Sequence, residues 1–381
     1  MNPKSSSSSS SYWRGKRVLV TGHSGFKGGW LSLWLQQLGA EVVGFSLPPP
    51  TTPSLFHEAR VAKGMTSLHG DVGDLEAVQR VFAEWRPEIV FHMAAQSLVR
   101  HSYQEPVETY RTNVMGTVHV LEALRHTDSV RVGVVVTSDK CYENQEPALW
   151  GYRETDRMGG TDPYSNSKGC AELVVASYRD SFFSGKDGKA VGALGSVRAG
   201  NVIGGGDWAK DRLLPDILCA FTEKRLVHVR SPEAVRPWQH VLDPLAGYME
   251  LARHLWSAKD AYVGGWNFGP SDRNARSVQY VVEKMIEKWG PDATAVIDDG
   301  LHPPEATYLR LDCSKAQTLL GWQPVMGLDD ALTWTVEWHR AVHDGADPRA
   351  CTLDQIRRYR KRADAHRARG QDRRLSRSAA Q

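Results

Sequence analysis

The sequence has few cysteines, and the five present are an odd number, widely spread and without a C-x-x-C pair. This pattern argues against a disulfide framework and against a zinc site, so we predict no metal. It is typical of a protein kept in a reducing cytoplasm.

Long apolar runs are also missing. No stretch approaches the roughly 18 residues needed to span a bilayer, and residues 1–12, MNPKSSSSSSSY, contain no apolar core of a secretory signal. We therefore expect a disordered leader over residues 1–12 and no membrane partner.

Charge of one sign is concentrated at one end of the chain. The net charge is +3, but residues 357–381 carry ten Arg or Lys against two Asp, which leaves the remainder at −5. Such a segment usually stays solvated, although it can touch an anionic surface. We interpret residues 346–381 as a basic C-terminal tail and do not infer a nucleic-acid partner.

Strand patterns alternate with helical patterns through the first half of the chain. KRVLVTG (16–22) and AEVVGFSL (40–47) flank FKGGWLSLWLQQLG (26–39), which has helical spacing. The alternation continues to about residue 181 and predicts an α/β fold, a Rossmann-type doubly wound parallel sheet. It breaks after about Gly204, so residues 13–203 are predicted to form mainly this domain and 204–345 mainly a smaller lobe, with the chain crossing between them.

A glycine motif, TGHSGFKGG, lies between the first strand and the first long helix. Its three spaced glycines leave bare backbone at a helix N-terminus, where a pyrophosphate binds: Gly22, Gly25 and Gly28. The acidic residue that usually follows the second strand is absent, because that strand ends in Ser46 and Leu47. The choice between NAD and NADP therefore stays open on this point. Asp71, in HGDVGD, is better placed for the adenine side, or else caps a helix.

The stretch YSNSK opens a later helical segment. Its spacing places Tyr164 and Lys168 on one helix face, where the cation is expected to lower the pKa of the phenol and make it a usable base.

A polar segment follows the fifth strand. Thr137, Ser138, Asp139 and Lys140 lie at the carboxyl edge of the sheet, the side on which such folds bind ligands. A turn or helix cap is the alternative role for these residues.

Polar and aromatic residues are scattered through loops of the second half, including RAGNVIGGGDW (198–208), DRLLPD (211–216) and VRPWQHVLD (235–243). Arginines in such loops can hold a diphosphate through paired hydrogen bonds.

Taken together, these motifs with HMAAQ (92–96) and TNVMGT (112–117) resemble the extended short-chain dehydrogenase/reductases over roughly residues 13–345. Within that family, GFSLPPPTTPSLF, TSDKCYEN and GGGDW are most similar to the dehydratases that act on CDP-glucose.

The resemblance implies NAD as cofactor, a nucleotide sugar as substrate and a homodimer or dimer of dimers as assembly. The implied cofactor-binding residues are Gly22, His23, Gly25, Phe26, Lys27, Gly28, Asp71, Val72, Ala94, Ala95, Gln96, Asn113, Thr137, Tyr164 and Lys168. The implied substrate-binding residues are Gln96, Arg198, Asn201, Arg212, Arg236, His240 and Tyr308. The dimer would form through the helices from Val107 to His126 and from Tyr164 to about Ser181.

The implied reaction is a dehydration by way of a transient 4-ketone. Tyr164, helped by Ser138 and Lys168, would take the 4-hydroxyl proton, and Asp139 would protonate the departing C6 oxygen. Relatives commonly have Thr-Asp-Glu where this chain has Ser-Asp-Lys. Lys140 would therefore be either the base for the C5 proton or a cation that stabilises the enolate.

Three other functions stay open. The Tyr and Lys pair would equally serve a nucleotide-sugar 4-epimerase, and a dehydratase could act on another nucleotide glucose. A catalytically idle nucleotide sensor or scaffold is the alternative that is not an enzyme.

Overall fold

A computed structural model describes residues 9–145, 150–183, 192–271, 274–291, 293–297 and 309–378. The strands of these residues are β1 (Arg17–Thr21), β2 (Glu41–Ser46), β3 (Thr66–His69), β4 (Ile89–His92), β5 (Val132–Val136), β6 (Ala193–Arg198), β7 (Val202–Ile203), β8 (Val227–Val229), β9 (Val235–Pro237), β10 (Gln239–His240), β11 (Gly264–Asn267), β12 (Ala275–Ser277) and β13 (Ala295–Ile297).

The helices of the same residues are α1 (Ser9–Trp13), α2 (Phe26–Gln37), α3 (Leu55–Glu58), α4 (Leu75–Trp85), α5 (Val99–Gln104), α6 (Pro106–Tyr110), α7 (Gly116–Arg125), α8 (Pro163–Tyr178), α9 (Leu213–Thr222), α10 (Leu242–Ser257), α11 (Lys259–Tyr262), α12 (Val278–Trp289), α13 (Leu328–His343) and α14 (Pro348–Ser378). Wider π-helical turns at Arg111–Met115, Arg179–Phe183 and Ala316–Leu320 and a 3₁₀ turn at Asp139–Cys141 complete the helical segments.

Seven strands form one parallel sheet in the order β11–β6–β5–β4–β1–β2–β3. The chain winds outward from β1 in both directions, which is the doubly wound arrangement predicted from the alternating pattern. Strands β1, β4 and β5 are almost wholly apolar and buried because helices cover both faces of the sheet. The predicted fold class is confirmed.

The two faces of the sheet bury different apolar clusters. Val18 and Val20 of β1 point to the face covered by α2 and α10, whereas Leu19 between them packs on the side of α4 and α7. This follows from the two-residue period of a strand. The strand side chains therefore pack against the two helix layers, and the carboxyl edge is the side on which such sheets bind ligands.

A third apolar cluster forms the smaller lobe, between α9, α12, α13 and β8. Part of the later half of the chain returns to the main sheet: β11 pairs with β6, and α10 packs against β5 and β6.

Both ends of the described chain differ from the sequence-based expectation. Residues 9–12, the end of the predicted leader, are helical in α1, and the ring of Tyr12 lies 6.1 Å from that of Trp256 of α10, so this part of the leader packs on the folded body. In α14, Ile356 and Tyr359 are buried in the main core, so the first half of the supposed tail is part of the folded body. None of the described helices is both long and apolar enough to cross a membrane.

Candidate active site

The predicted catalytic residues meet at the carboxyl edge of β5. The chain leaves β5 through Thr137 and Ser138 into the 3₁₀ turn at Asp139–Cys141, and α8 starts beside it. The carboxylate of Asp162 caps α8 by accepting a hydrogen bond from the Ser165 amide at 2.9 Å.

Asp139 is the acidic group of this cluster and is buried. Its carboxylate accepts a hydrogen bond from the Ser138 hydroxyl at 3.0 Å. Burial raises the pKa of Asp139, although the charges of Lys140 and Arg236 and the Ser138 hydrogen bond oppose the change. Burial thus disfavours the charged form of this carboxyl group.

Lys140 lies next to this carboxyl group and is half-buried. Its backbone amide donates to the Ser138 hydroxyl oxygen at 3.2 Å, which closes the 3₁₀ turn. The position of Lys140 is compatible with both of its predicted roles, as the base for the C5 proton or as the cation that stabilises the enolate.

Tyr164 is buried in the first turn of α8, and its phenol is hydrogen-bonded to Ser138. The predicted direction of its pKa is wrong: burial raises the pKa of Tyr164 to about 12, with Asp139 acting in the same direction. The Ser138 hydrogen bond and the Arg212 charge oppose this rise. The ammonium of Lys168 instead reaches the carbonyl oxygen of Val136, at 3.5 Å.

The glycine loop has the shape needed to receive a pyrophosphate. A Cβ at Gly22, whose φ is +77°, would lie 2.7 Å from the Ala94 amide nitrogen, and one at Gly28 would lie 2.1 Å from the Gly22 carbonyl oxygen. Gly25 precedes α2 without a side-chain cap, so the first amides of the helix have no side chain in front of them. The loop therefore fits the group predicted to bind there.

Three side chains of the glycine loop and the first turn of α2 contact other parts of the protein. His23 is fully buried between the hydroxyls of Ser46, at 3.1 Å, and Ser67, at 2.7 Å, and burial lowers the pKa of its ring to about 4. Lys27 donates to the Tyr248 hydroxyl at 3.0 Å. Burial, together with the charges of Lys168 and Arg212, lowers the pKa of Lys27 to about 7. Phe26 packs close to Gly204.

The predicted adenine-side residues follow β3. Asp71 forms an ion pair with Arg111 at 2.6 Å and accepts from the Gly73 amide at 2.8 Å, while Val72 is buried against Gly116. Asp71 thus shapes the turn after β3, and its role toward a cofactor stays a prediction.

The loop after β4 carries Ala94, Ala95 and Gln96. The Gln96 amide donates to the Asn113 side chain at 2.9 Å, and the Gln96 side chain bonds to Leu98 and Thr109. Asn113 in turn donates to the Ser167 hydroxyl at 2.9 Å, which links this loop to the helix of Tyr164.

Besides Gln96, three of the predicted substrate-binding residues are partly exposed. Arg212 is held by Asp207 at 3.1 Å and by the Ser97 hydroxyl at 2.9 Å, and its charge acts on Tyr164. Arg236 acts on Asp139 in the same way. Asn201 accepts a backbone hydrogen bond from Gln239 at 3.0 Å.

Two other members of that set lie in the interior. The guanidinium of Arg198 is engaged by both carboxylate oxygens of Glu172, at 2.9 and 2.8 Å, and by Tyr142 at 2.5 Å. His240 is fully buried, with its ring 6.0 Å from that of Trp30. Because neither side chain faces the cleft, we remove both from the predicted substrate-binding set. Tyr308 lies outside the described residues.

The structure adds two residues that sequence reasoning did not select. Glu172 lies one helical turn after Lys168, a spacing that could have revealed it. Tyr248 of α10 is brought to Lys27 across 221 positions of sequence, so no local pattern indicates it.

A doubly wound parallel sheet, a glycine loop at its first helix and a Tyr-Lys pair at the edge of β5 define a nucleotide-dependent enzyme of the extended short-chain dehydrogenase/reductase class. The chain belongs to the GDP-mannose 4,6-dehydratase family, whose family model matches residues 19–335.

The similarity to individual proteins supports this assignment. CDP-glucose 4,6-dehydratase of Salmonella typhimurium is 54% identical over 349 residues, which cover 91% of this chain and 97% of that relative. A UDP-glucose 4-epimerase of Halalkalibacterium halodurans is 26% identical, over 85% of this chain and 95% of the relative. Among solved structures, the UDP-glucose 4-epimerase of Thermus thermophilus in complex with NAD has a TM-score of 0.70 and 26% identity, over 85% of this chain and 99% of that one.

Proposed function

We propose that this enzyme converts CDP-D-glucose to CDP-4-dehydro-6-deoxy-D-glucose and water. The structural observation that carries the proposal is the buried Asp139 beside Lys140, within hydrogen-bonding reach of Ser138 and next to Tyr164. A general acid at this position can protonate the C6 hydroxyl group of the sugar, so that it leaves as water. The choice of CDP-glucose rests on the high identity to the Salmonella enzyme.

The glycine loop, the Asp71 turn and the Ala94–Gln96 loop would hold NAD. Support comes from the glycine loop, where a Cβ at Gly22 or Gly28 would collide with backbone and α2 begins without a side-chain cap. When bound, NAD supplies a hydride acceptor for C4 and a hydride donor for C6. The positive charge of bound nicotinamide would favour ionisation of a nearby phenol and so oppose the effect of burial on the pKa of Tyr164.

Each step of the reaction has a candidate residue. Tyr164 takes the proton from the 4-hydroxyl, with Ser138 hydrogen-bonded to its oxygen. With the C4 hydride accepted by NAD, the resulting 4-ketone acidifies the proton at C5. Lys140 takes that proton if it is a neutral amine; as an ammonium it would stabilise the enolate instead, and another base would take the proton. Asp139 gives its proton to the C6 oxygen, which leaves as water.

Arg212 and Arg236 would bind the diphosphate of the substrate, since both guanidinium groups carry charge into the cleft beside Tyr164 and Asp139. We also propose that the enzyme works in the cytoplasm as a homodimer.

A 4-epimerase is the second candidate, because epimerases are among the similar structures. It would use Tyr164 and Lys168 but has no step for Asp139 and Lys140.

One assay separates these functions. The purified protein is incubated with CDP-, dTDP-, UDP- and GDP-glucose, the products are separated, and their molecular masses are measured by mass spectrometry. We expect a product 18 mass units lighter, the mass of water, from CDP-glucose in preference to the others. A product of unchanged mass with galacto configuration would replace the dehydratase proposal with the epimerase.

A further inference from the structure

The segment between β2 and β3, residues 47–65, runs beside the glycine loop. At its start, the hydroxyl of Ser24 donates to the Leu47 carbonyl oxygen at 2.8 Å. Further along, helix α3 brings the ring of Phe56 to 5.5 Å from the ring of His23. In doubly wound folds the chain just after the second strand also borders the adenine ribose of a bound dinucleotide. The position of this segment therefore affects the shape of the loop that is proposed to receive the cofactor.

The segment depends on partners from outside it. Helix α3 has only four residues, Leu55–Glu58, and Arg60 follows it with a φ of +47°, in the left-handed region. A helix of one turn is marginal in water, and the last carbonyl groups of a helix have no acceptor role within it. Contacts from other parts of the fold must therefore hold α3 and the turn after it.

Arg349, in the first turn of α14, supplies such contacts. Its guanidinium donates four hydrogen bonds: to the carbonyl oxygens of Ala59 at 3.3 Å, Arg60 at 2.7 Å and Lys63 at 3.0 Å, and to the side-chain oxygen of Gln36 at 3.1 Å. An arginine can serve several acceptors at once because it has five N–H donors in a fixed fork. We call Arg349 and these four acceptors the Arg349 clamp.

The clamp also reaches the helix that begins at the glycine loop. Gln36 belongs to α2, and its amide nitrogen donates to the Val61 carbonyl oxygen at 2.9 Å. Asp347 adds two hydrogen bonds from Arg60, both at 2.7 Å, although these side chains are 46% and 51% exposed and such surface pairs stabilise little. The start of α14, the turn after α3 and α2 are thus joined mainly through Arg349.

We propose that Arg349 is a positioning residue for the cofactor site, which holds residues 55–63 against α2 so that the glycine loop keeps the shape that receives a pyrophosphate. The inference deepens the proposed function, because it rests on NAD binding at that loop. Arg349 acts through the segment and takes no part in the chemistry. The rest of α14 is anchored separately by the buried Ile356 and Tyr359, so the clamp can be removed without detaching the helix.

The first test uses the protein without cofactor or substrate. Hydrogen–deuterium exchange is followed by mass spectrometry of a peptide spanning residues 55–65. In Arg349→Met, which keeps an apolar side chain but has no donors, we expect exchange of this peptide to become about tenfold faster, because its local opening is no longer opposed by these hydrogen bonds. The matched control is Arg357→Met, the same change at an exposed arginine of α14 that pairs with Asp354.

Helix α13 serves as the internal reference for this measurement. Its exchange should be the same in the unaltered protein, in Arg349→Met and in Arg357→Met. A rise shared equally by α13 and the 55–65 peptide would mean general destabilisation and would overturn the inference, as would unchanged exchange in Arg349→Met. If that variant does not fold, Arg349→Lys replaces it, since a lysine can reach only part of the four acceptors, and exchange should again rise in residues 55–65 alone.

The second test measures the dissociation constant for NAD by calorimetry. Arg349→Met should raise it about threefold to tenfold, because binding must then also order the segment, whereas Arg357→Met should leave it unchanged. At saturating NAD, kcat and KM for CDP-glucose should equal those of the unaltered enzyme. Faster exchange of residues 55–65 with unchanged NAD affinity would refute the role in cofactor binding.

Failure of the proposed function gives a different result. An unaltered protein that binds NAD but converts no nucleotide glucose would refute the proposed reaction, while the exchange and NAD measurements would still decide the role of Arg349. An unaltered protein that does not bind NAD would overturn this inference together with the cofactor assignment.

Discussion

The hydroxyl of Ser138 donates a hydrogen bond to the carboxyl group of Asp139 at 3.0 Å and is also hydrogen-bonded to the phenol of Tyr164. The Ser138 hydroxyl thus links Tyr164, which is proposed to start the reaction by taking the 4-hydroxyl proton, with Asp139, which is proposed to protonate the departing C6 oxygen. The predicted roles of the two partners can be separated, because they act on different protons of the sugar.

Asp139→Asn and Lys140→Met should permit oxidation at C4 but delay elimination. Loss of a positioned proton donor or acceptor typically costs about a hundredfold to ten-thousandfold, which makes elimination slower than oxidation. Absorbance of reduced nicotinamide should therefore accumulate with CDP-glucose while the 4-keto-6-deoxy product lags. If both variants stall before any reduction, the pair serves binding or structure instead.

Solvent deuterium distinguishes the two variants from each other. Asp139→Asn can still form the enolate, so deuterium should enter C5 from D₂O. Lys140→Met should lose this exchange if Lys140 manages the C5 proton. Equal exchange in both variants would assign that proton to another group.

Tyr164→Phe should lower turnover by about a hundredfold to ten-thousandfold, because it removes proton transfer at the 4-hydroxyl. The dissociation constant for CDP-glucose, measured by calorimetry, should change little because the ring and its packing remain. Near-normal turnover would discard the mechanism. The matched control is Tyr103→Phe, the same change at an exposed side chain, and its turnover should equal that of the unaltered enzyme.

The hydride should return to the sugar from which it came. CDP-glucose with deuterium at C4 should give product with deuterium at C6, detected by NMR, with no stoichiometric use of NAD. Steady release of reduced cofactor into solution would mark an ordinary dehydrogenase.

Local patterns were sufficient to predict the sheet and the central part of the site. The glycine loop and the Tyr164–Lys168 pair depend on residues close in sequence, and burial of strands such as VGVVV is evident from their composition. The fold of the first half and the place of Asp139 follow from the rule that parallel strands end at one edge, whereas the approach of Tyr164 depends on how α8 packs beside the turn after β5.

Residues whose role depends on distant partners could not be assigned in this way. In the sequence, Arg198 is a basic residue in a glycine-rich loop, and only the packing of β6 beside α8 shows that it pairs with Glu172. His240 belongs to a polar stretch, but its neighbours in space are Trp30 and Trp334, which exclude it from the cleft. Tyr164 shows the same limit for electrostatics: burial outweighs the Ser138 hydrogen bond and the Arg212 charge in setting its pKa, and the ammonium of Lys168, four residues away, bonds to the Val136 carbonyl instead.

The dimer seam is predicted to form through the helical runs from Val107 to His126 and from Tyr164 to about Ser181, and only some apolar side chains of these runs are exposed. Leu121 and Val175 are buried in the core of the monomer and cannot contribute. Exposed apolar side chains include Val107 and Met115 on the first helical run and Leu173 on the second, at 79%, 45% and 60% exposure. Leu173→Glu should convert a dimer to a monomer at micromolar concentration in light scattering, since a buried charge opposes association.

The matched control for the seam is Leu319→Glu, an equally drastic change at a side chain that is 50% exposed elsewhere on the surface. Its mass in solution should equal that of the unaltered protein. A monomeric mass for the unaltered protein would count against the seam altogether.

The C-terminal helix α14 should stabilise the protein through its buried face. Tyr359 is 1% exposed, its ring lies 5.5 Å from that of Trp34, and its hydroxyl donates to Asp243 at 2.9 Å. Tyr359→Ala should lower the free energy of unfolding by about 3–5 kcal/mol, because it opens a cavity and leaves Asp243 without that donor. Arg357→Ala, two residues earlier and exposed, should change it by less than about 0.5 kcal/mol. The comparison is made by urea denaturation followed by circular dichroism. Equal stability of the two variants would mean that α14 adds nothing to the folded body, and the original view of a solvated basic tail would then hold for the whole segment.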